Sequence, residues 1–281
     1  MTRRRRFLFR AVLLLVPLYA LIVTFGGCAN RMLLHPSRHA IDAGNAVRLT
    51  FAHNGRQLEI WSARSPALAG DAEPRAYVLE FCGNATRAEE ITQFVAERWG
   101  KHPVEVWVMN YPGFGGSEGR ADLKTIAPSA TATYDELARR AGGRPIFFEA
   151  NSMGTVPALH VAANRPVAGL VLQNPPPLRR LILGRYGWWN LWLAAGPIAL
   201  QVPGNLDSLA SARRVRAPAV FLVGERDSLV PPKYQQLVID AYAGPKEVIH
   251  MRDTTHWQPV TGQAEAQLAD EIDRLWEQAV R

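Results

Sequence analysis

The sequence predicts an α/β protein with a mostly parallel sheet that is covered by helices on both faces. A hairpin signal at Asn54-Gly55 joins two strand-like runs near the start of the domain. From residue 75 onward, short runs rich in β-forming residues alternate with helix-like segments. These runs are almost continuously apolar, which is typical of strands buried on both faces. Repeated strand–helix units of this kind favour a parallel sheet.

Each element follows from its local pattern. The strands are predicted where Val, Ile, Phe, Tyr and Trp cluster between turn residues, and the helices where apolar residues recur at three and four, as Ile91, Phe94, Val95 and Trp99 do. The predicted strands are residues 47–52, 57–63, 75–81, 104–110, 145–150, 168–174, 217–224 and 247–251, and the main predicted helices are 86–99, 129–140, 154–164, 232–242 and 263–279.

The positive charge of the chain is concentrated at its start. The formal net charge is +7, but five arginines lie within the first ten residues and no acidic residue precedes Asp42. The remaining chain is nearly balanced. We therefore expect no nucleic-acid partner.

Residues 1–29 are predicted to be a signal or anchor segment. The arginine cluster precedes an uncharged, mainly apolar run from residue 11 to 29, and such a cluster stays in the cytoplasm while the following chain is exported. The small residues before Cys28 resemble a bacterial lipoprotein processing site, at which Cys28 would be lipidated. The alternative is an uncleaved anchor helix. Both place the protein on a membrane, facing the periplasm or the cell exterior.

The candidate nucleophile is Ser152, between a predicted strand and a predicted helix. A strand that turns into a helix within two residues needs small neighbours, which Ala150 and Gly154 provide. The pattern A-N-S-M-G fits the G-x-S-x-G nucleophile elbow except that alanine replaces the first glycine.

A serine nucleophile needs a base and an orienting carboxylate, which follow it in this order on later strands. Asp227 lies in the loop after the strand 217–224, which makes it the candidate acid. Glu225 and Asp253 are nearby alternatives.

His256 is the candidate base, because it lies in the loop after the strand 247–251. His250 is the alternative. It is expected to lie within that strand as a buried core histidine.

Two backbone donors are expected to form an oxyanion hole. One is the N–H of Met153, directly after the nucleophile, and the other is the N–H of Asn84, with Ala85 as the second choice, in the loop after the strand 75–81. No cluster of Cys or His has the spacing of metal ligands, so neither a metal nor a cofactor is expected.

Three motifs resemble those of the α/β-hydrolase superfamily: F-C-G-N-A at 81–85, N-Y-P-G-F-G-G-S-E-G at 110–119 and G-E-R-D-S-L-V-P at 224–231. Cys82 and Asn110 replace the histidine and aspartate of the family patterns. The resemblance covers the chain from Val47 onward and implies the α/β-hydrolase fold and a serine hydrolase. The N-terminal segment narrows it to membrane-anchored, depalmitoylase-like members.

The expected organisation has a juxtamembrane stretch at 30–46 and a hydrolase domain at 47–281, with a short lid insertion at about 175–206. That insertion carries three tryptophans, Trp188, Trp189 and Trp192. They are expected to be buried in a small helical cap, or else to line an apolar acyl pocket or to dip into a membrane.

The sequence thus predicts a membrane-anchored serine hydrolase that cleaves an ester or thioester of a small-molecule or acylated substrate through an acyl-enzyme. A serine peptidase or an acyltransferase would use the same triad. A non-catalytic, anchored binding protein is the third alternative, but it would not need an ordered triad.

Overall fold

The computed structural model describes residues 3–25, 27–190 and 192–280. Residues 1, 2 and 26 of the predicted leader, residue 191 of the predicted insertion and the terminal residue 281 lie outside the described residues.

The described residues contain one eight-stranded sheet. Its strands are β1 (Val47–His53), β2 (Arg56–Arg64), β3 (Ala76–Phe81), β4 (Val104–Met109), β5 (Ile146–Asn151), β6 (Gly169–Gln173), β7 (Ala219–Gly224) and β8 (Lys246–Met251). Their spatial order is β1-β2-β4-β3-β5-β6-β7-β8. β1 and β2 pair antiparallel, as do β2 and β4, and all other pairs are parallel. The predicted hairpin and mostly parallel sheet are confirmed.

Helices cover both faces of this sheet. The helices are α1 (Arg3–Phe25), α2 (Cys28–Leu33), α3 (Ala88–Arg98), α4 (Leu123–Ala141), α5 (Thr155–Ala162), α6 (Leu178–Tyr186), α7 (Ala195–Gln201), α8 (Ser208–Ala212), α9 (Pro232–Ala241) and α10 (Gln263–Ala279). On one face, Trp99 at the end of α3 and Trp276 of α10 pack against Phe147. On the other, Tyr134 of α4 meets Phe148 edge to face.

The strands β3, β4, β5, β6 and β7 form the centre of the core, since nearly every residue in them is buried. Their side chains alternate between the two helical layers. The carboxyl ends of β3, β5, β6, β7 and β8 meet at one edge of the sheet, where such folds bind ligands.

Helix α4 begins six residues before its predicted start at residue 129. Asp122 caps the helix by accepting a hydrogen bond from the N–H of Lys124 at 3.0 Å. Pro128 lies inside the helix, where its missing N–H removes one backbone hydrogen bond. The cap and the buried face of α4 stabilise the six additional residues, which include this proline.

The segment between β6 and β7 contains α6, α7, α8 and two short 3-10 turns at Trp188–Asn190 and Gly204–Leu206. The tryptophans of this segment are exposed: Trp188 by 68%, Trp189 by 65% and Trp192 by 50%. The expectation that they bury themselves in a cap is therefore wrong. All three lie in the connection between α6 and α7, since Trp188 and Trp189 belong to the 3-10 turn and Trp192 to the turn that follows it.

Helix α1 lies beside this segment, and its Tyr19 hydroxyl donates a hydrogen bond to the carbonyl oxygen of Leu193. Among the described residues, no helix combines the length and apolar character that crossing a membrane requires. After α1, the chain enters the domain itself, because Ala29 and Leu34 are buried in its core.

Candidate active site

Ser152 directly follows β5 and has a strained backbone. Its φ is +52°, a left-handed conformation that is uncommon for any residue other than glycine. A 3-10 turn over Ser152–Gly154 then leads directly into α5. This sharp turn presents the serine hydroxyl at the carboxyl edge of the sheet, as a nucleophile elbow does.

Close packing behind the turn explains its small residues. A Cβ on Gly154 would lie 1.9 Å from the carbonyl oxygen of Phe81 and 2.6 Å from that of Cys82, so no side chain fits there. Ala150 pairs with Phe81 in the sheet and is buried without such a conflict. The sheet thus accommodates an alanine methyl group at the position where the motif has its first glycine.

A continuous hydrogen-bond chain links three predicted residues. The Nε2 atom of His256 lies 2.9 Å from Ser152 Oγ, and its Nδ1 atom lies 2.6 Å from Asp227 Oδ2. All three residues are buried. The distances are those of a nucleophile, a base and an orienting carboxylate.

The Asp227 carboxylate is held in one orientation by its own loop. Its Oδ1 atom accepts hydrogen bonds from the backbone N–H groups of Leu229 and Val230, each at 2.8 Å. Its Oδ2 atom faces His256 and lies 3.3 Å from Gln235 Nε2.

The structure does not bring the alternative acids and base to Ser152. Asp253 is exposed and pairs with Arg226 at 2.5 Å, and Glu225 lies 3.7 Å from His250. His250 belongs to β8, as expected, but its side chain is 56% exposed. The expectation of a buried core histidine is wrong because His250 projects from the face of an edge strand, outside the core.

The predicted oxyanion donors lie on two sides of the nucleophile. Met153 follows Ser152 in the 3-10 turn, where the first N–H groups have no partner within the helix. Asn84 lines the same cleft as Ser152, and a Cβ on Gly83 would lie 3.7 Å from the serine Cβ. Ala85, the second choice, has a φ of +67°.

The side chain of Asn84 anchors its loop to the N-terminal segment. Its Nδ2 atom donates to the carbonyl oxygen of Leu33 at 2.8 Å, and its Oδ1 atom accepts from the N–H of His35 at 3.0 Å. Cys82, in the place of the motif histidine, is buried, and this burial raises the pKa of its thiol well above the ordinary value. The thiol therefore stays neutral.

Asn110 joins the glycine-rich loop to α3 through a buried network. It donates to Glu59 Oε2 at 2.7 Å and to Glu89 Oε2 at 2.8 Å, and accepts from the N–H of Ala88 at 2.9 Å. Burial raises the pKa of Glu59, but hydrogen bonds from Arg48, Asn110 and the N–H of Gly116 outweigh this and hold the pKa below its ordinary value. An amide suits this place because it can donate to both carboxylates.

The cleft beside Ser152 has a volume of about 240 Å³. Its apolar walls come from α3 and from the loop after His256, but three charged side chains, Glu80, Arg98 and Glu149, also line it. Arg98 pairs with Glu149, which also accepts a hydrogen bond from Trp99 Nε1 at 2.9 Å.

These charged residues were missed by the sequence analysis. The signal that could have found them is a glutamate within each of two apolar strands, β3 and β5, close to their carboxyl ends. Within the described parts of the chain, no group of three or more His, Cys, Asp or Glu side chains could hold a metal ion.

Similarity to known proteins agrees with this architecture. The family described as serine aminopeptidase, S33, matches residues 72–195. An uncharacterized protein of Mycobacterium tuberculosis is 25% identical over 85% of this chain and 84% of its own length. The α/β hydrolase domain-containing protein WAV2 of Arabidopsis thaliana is 24% identical over 58% of this chain and 55% of its own length.

Solved structures share the same fold. The Pyrococcus furiosus esterase Pf2001 superposes with a TM-score of 0.66 and 16% identity, covering 89% of this chain and 99% of the esterase. The eight-stranded sheet, the nucleophile elbow, the matching family and these relatives lead to one assignment: the chain is a serine hydrolase of the α/β-hydrolase superfamily.

Proposed function

We propose that the protein hydrolyses esters or thioesters through a covalent acyl-enzyme on Ser152. The observation that carries this proposal is the continuous hydrogen-bond chain from Asp227 through His256 to the serine hydroxyl, at the mouth of a cleft. A lone serine hydroxyl is a poor nucleophile at neutral pH, and this chain supplies the base that activates it.

The reaction follows from the positions of these groups. His256 Nε2 takes the proton of Ser152 Oγ as the oxygen attacks the substrate carbonyl carbon, and Asp227 stabilises the imidazolium that forms. The N–H groups of Met153 and Asn84 bind the developing oxyanion. Collapse of the intermediate expels the alcohol or thiol, which takes the proton from His256. Water, deprotonated by the same imidazole, then releases the acid.

Hydrolysis of an ester is favoured over the two related activities. Solved structures with this fold include the Pyrococcus furiosus esterase, which supports ester chemistry. The name of the matching family, serine aminopeptidase, supports a peptidase as the second candidate. An acyltransferase would use the same acyl-enzyme with another acceptor, and adding alcohol acceptors to the assay would separate it from a hydrolase.

A fluorophosphonate probe tests the nucleophile directly. We expect the full chain, purified in detergent, to be labelled, and Ser152→Ala to abolish both labelling and hydrolysis of p-nitrophenyl acetate. Ser129→Ala is the matched control, because Ser129 is buried in α4 and outside the cleft. Labelling that persists in Ser152→Ala would contradict the proposal.

We further propose that the N-terminal segment attaches the protein to a membrane, facing the periplasm or the cell exterior. Two features support this: the arginine cluster at residues 3–6, and exposed apolar side chains along α1 such as Phe7, Leu14 and Leu18. Attachment would use either a lipid on Cys28 or an uncleaved helix.

Mass spectrometry of the mature N-terminal peptide separates these two modes of attachment. A lipid-modified peptide that begins at Cys28 is expected for a lipoprotein, and an unmodified peptide that begins at Met1 or Thr2 for an anchor helix. Recovery of the intact chain in the soluble fraction of a detergent-free lysate would contradict membrane attachment.

A further inference from the structure

The cleft beside Ser152 contains a buried group of charged side chains, which we call the carboxyl cluster: Glu80, Glu149 and Arg98. Glu80 of β3 and Glu149 of β5 are directly paired across the sheet and line the cleft together with the nucleophile. Arg98 forms an ion pair with Glu149. The cluster thus has two carboxyl groups and one guanidinium.

Two oxygen atoms near this cluster have no partner. Glu80 is 3% exposed, and its Oε2 atom forms no hydrogen bond to any described residue. The Oδ1 atom of Asn151, the neighbour of the nucleophile, is also buried without a partner. A buried acceptor left unsatisfied costs about 1–3 kcal/mol, so such atoms in a folded protein need an explanation.

We propose that the cleft binds substrates in which one arm of the ester carries a hydrogen-bond donor, a hydroxyl or an amine, that Glu80 and Asn151 recognise. This inference rests on the proposed ester hydrolysis and names the class of substrate. Both orphan atoms are oxygen atoms on the side of the cleft that holds the nucleophile. Asn151 directly precedes the turn of Ser152, and Glu80 pairs in the sheet with Glu149, two residues before Asn151.

The electrostatic setting favours a neutral or cationic donor. Burial, and then the neighbouring carboxylate of Glu149, raises the pKa of Glu80 well above its ordinary value, and Arg98 opposes this only in part. This shift favours the protonated form of Glu80, in which the carboxyl group can also donate a hydrogen bond. A hydroxyl satisfies such a group in both directions, and an amine would bind its ionised form.

Two other kinds of substrate arm fit less well. An anionic arm would meet two carboxyl groups with the only guanidinium of the cluster already paired to Glu149. A long hydrocarbon arm would leave the orphan oxygen atoms unsatisfied. It would also need more than the roughly 240 Å³ of the cleft, which lies below the range usual for drug-sized ligands. A short, hydroxylated or aminated arm meets both conditions.

Matched esters test the acyl arm and the alcohol arm of the substrate separately. Three p-nitrophenyl esters are compared on the full chain: the heptanoate, the 6-hydroxyhexanoate and the 6-aminohexanoate, which differ only in a terminal methyl, hydroxyl or amino group. For the alcohol arm, pentyl acetate is compared with 4-hydroxybutyl acetate and 4-aminobutyl acetate by titration of the released acid. In either the acyl series or the alcohol series, we expect kcat/KM for a donor-bearing ester to exceed kcat/KM for its methyl analogue by about tenfold or more.

Variants of Glu80 connect this preference to the cluster. Glu80→Leu should reduce the ratio to about one and leave fluorophosphonate labelling of Ser152 intact. Glu80→Met, which has a similar length and no carboxyl oxygen, serves if the leucine variant fails to fold. Glu105→Gln is the matched control, because Glu105 is a buried strand carboxylate outside this cleft. It should keep the wild-type ratio. The hydroxyl and amino esters show which donor is recognised.

The outcomes separate this inference from the proposed function. Labelling and hydrolysis of the methyl esters, with ratios near one in both arms, would overturn the inference alone. An unchanged ratio in the Glu80 variants would also overturn it. If the wild-type chain shows neither labelling nor hydrolysis of any ester, the proposed function and this inference are overturned together.

Discussion

The substitution Asp227→Asn tests how the candidate acid acts, because the loop dictates how an amide would sit. The two backbone N–H groups that point at Oδ1, from Leu229 and Val230, require an acceptor at that position. The amide oxygen must therefore occupy it, and the NH₂ group must face His256 Nδ1. Flipping the amide would place its NH₂ group against both N–H groups.

This arrangement reverses the proton on the imidazole. A donor at the former Oδ2 position makes His256 Nδ1 an acceptor, so the ring proton moves to Nε2 and points at Ser152 Oγ. The imidazole can then no longer take the serine proton. Trapping a triad histidine in the wrong tautomer lowers kcat by about 10⁴, which corresponds to about 5.4 kcal/mol of transition-state stabilisation.

The assay is the steady-state kcat for p-nitrophenyl acetate at pH 7.5, with thermal melts to show that each variant is folded. Asp253→Asn is the matched control, since Asp253 is an exposed loop aspartate that pairs with Arg226. We expect it to stay within about threefold of the wild type, as surface changes usually do. An Asp227→Asn variant within tenfold of the wild type would refute the reasoning. So would an equal loss in Asp253→Asn.

Three further predictions follow from the buried contacts. Gly154→Ala should lower the free energy of unfolding by about 1–3 kcal/mol and reduce kcat, because the added methyl group meets the carbonyl oxygen that ends β3; melts and kinetics check both, and a wild-type kcat would contradict it. Asn110→Asp should destabilise the fold by about 1–3 kcal/mol, and more at pH 8 than at pH 5, because it adds a third carboxyl group beside Glu59 and Glu89. Urea melts measure the difference in denaturation midpoint between variant and wild type, and the same difference at both pH values would count against it. Glu80→Gln should gain stability relative to the wild type as pH rises above about 4.5, since a carboxyl with a raised pKa in the folded state stabilises the fold only while it is protonated. Urea melts at pH 5 and pH 8 measure the free energy of unfolding, and an equal difference between variant and wild type at both pH values would exclude a buried neutral acid.

The sequence predicts the position of the candidate triad because the fold converts order along the chain into proximity. Ser152, Asp227 and His256 each follow a strand, and parallel strands place their carboxyl ends at the same edge. Small residues at 150 and 154 then identify the elbow from local sterics alone. Boundaries are less well predicted, as α4 shows, because a cap at Asp122 and the packing of its buried face decide where that helix begins.

What the sequence does not show is the pairing of strands that are distant along the chain. Glu80 and Glu149 are 69 residues apart and become neighbours only because β5 pairs with β3. Each is a glutamate in an apolar strand, but neither segment shows which strand will lie beside it. The network around Asn110 has the same origin, since it joins residues from three elements. Cross-strand register is a property of the assembled sheet, and it decides the chemistry of the cleft.

The loop that contains Asn84 is also positioned by the segment before the hydrolase domain, which the sequence analysis predicted only as a juxtamembrane stretch. The predicted juxtamembrane stretch, residues 30–46, places Leu34 in the core, and on either side of it the carbonyl oxygen of Leu33 and the N–H of His35 hold both ends of the Asn84 amide. These are backbone groups, so the contacts depend on the path of the chain and not on the identity of the residues, which is why no motif marks them. The loop cannot move away from this segment without losing two hydrogen bonds of about 1 kcal/mol each. The backbone N–H that we assign to the oxyanion is therefore positioned from the N-terminal side as well as by the sheet.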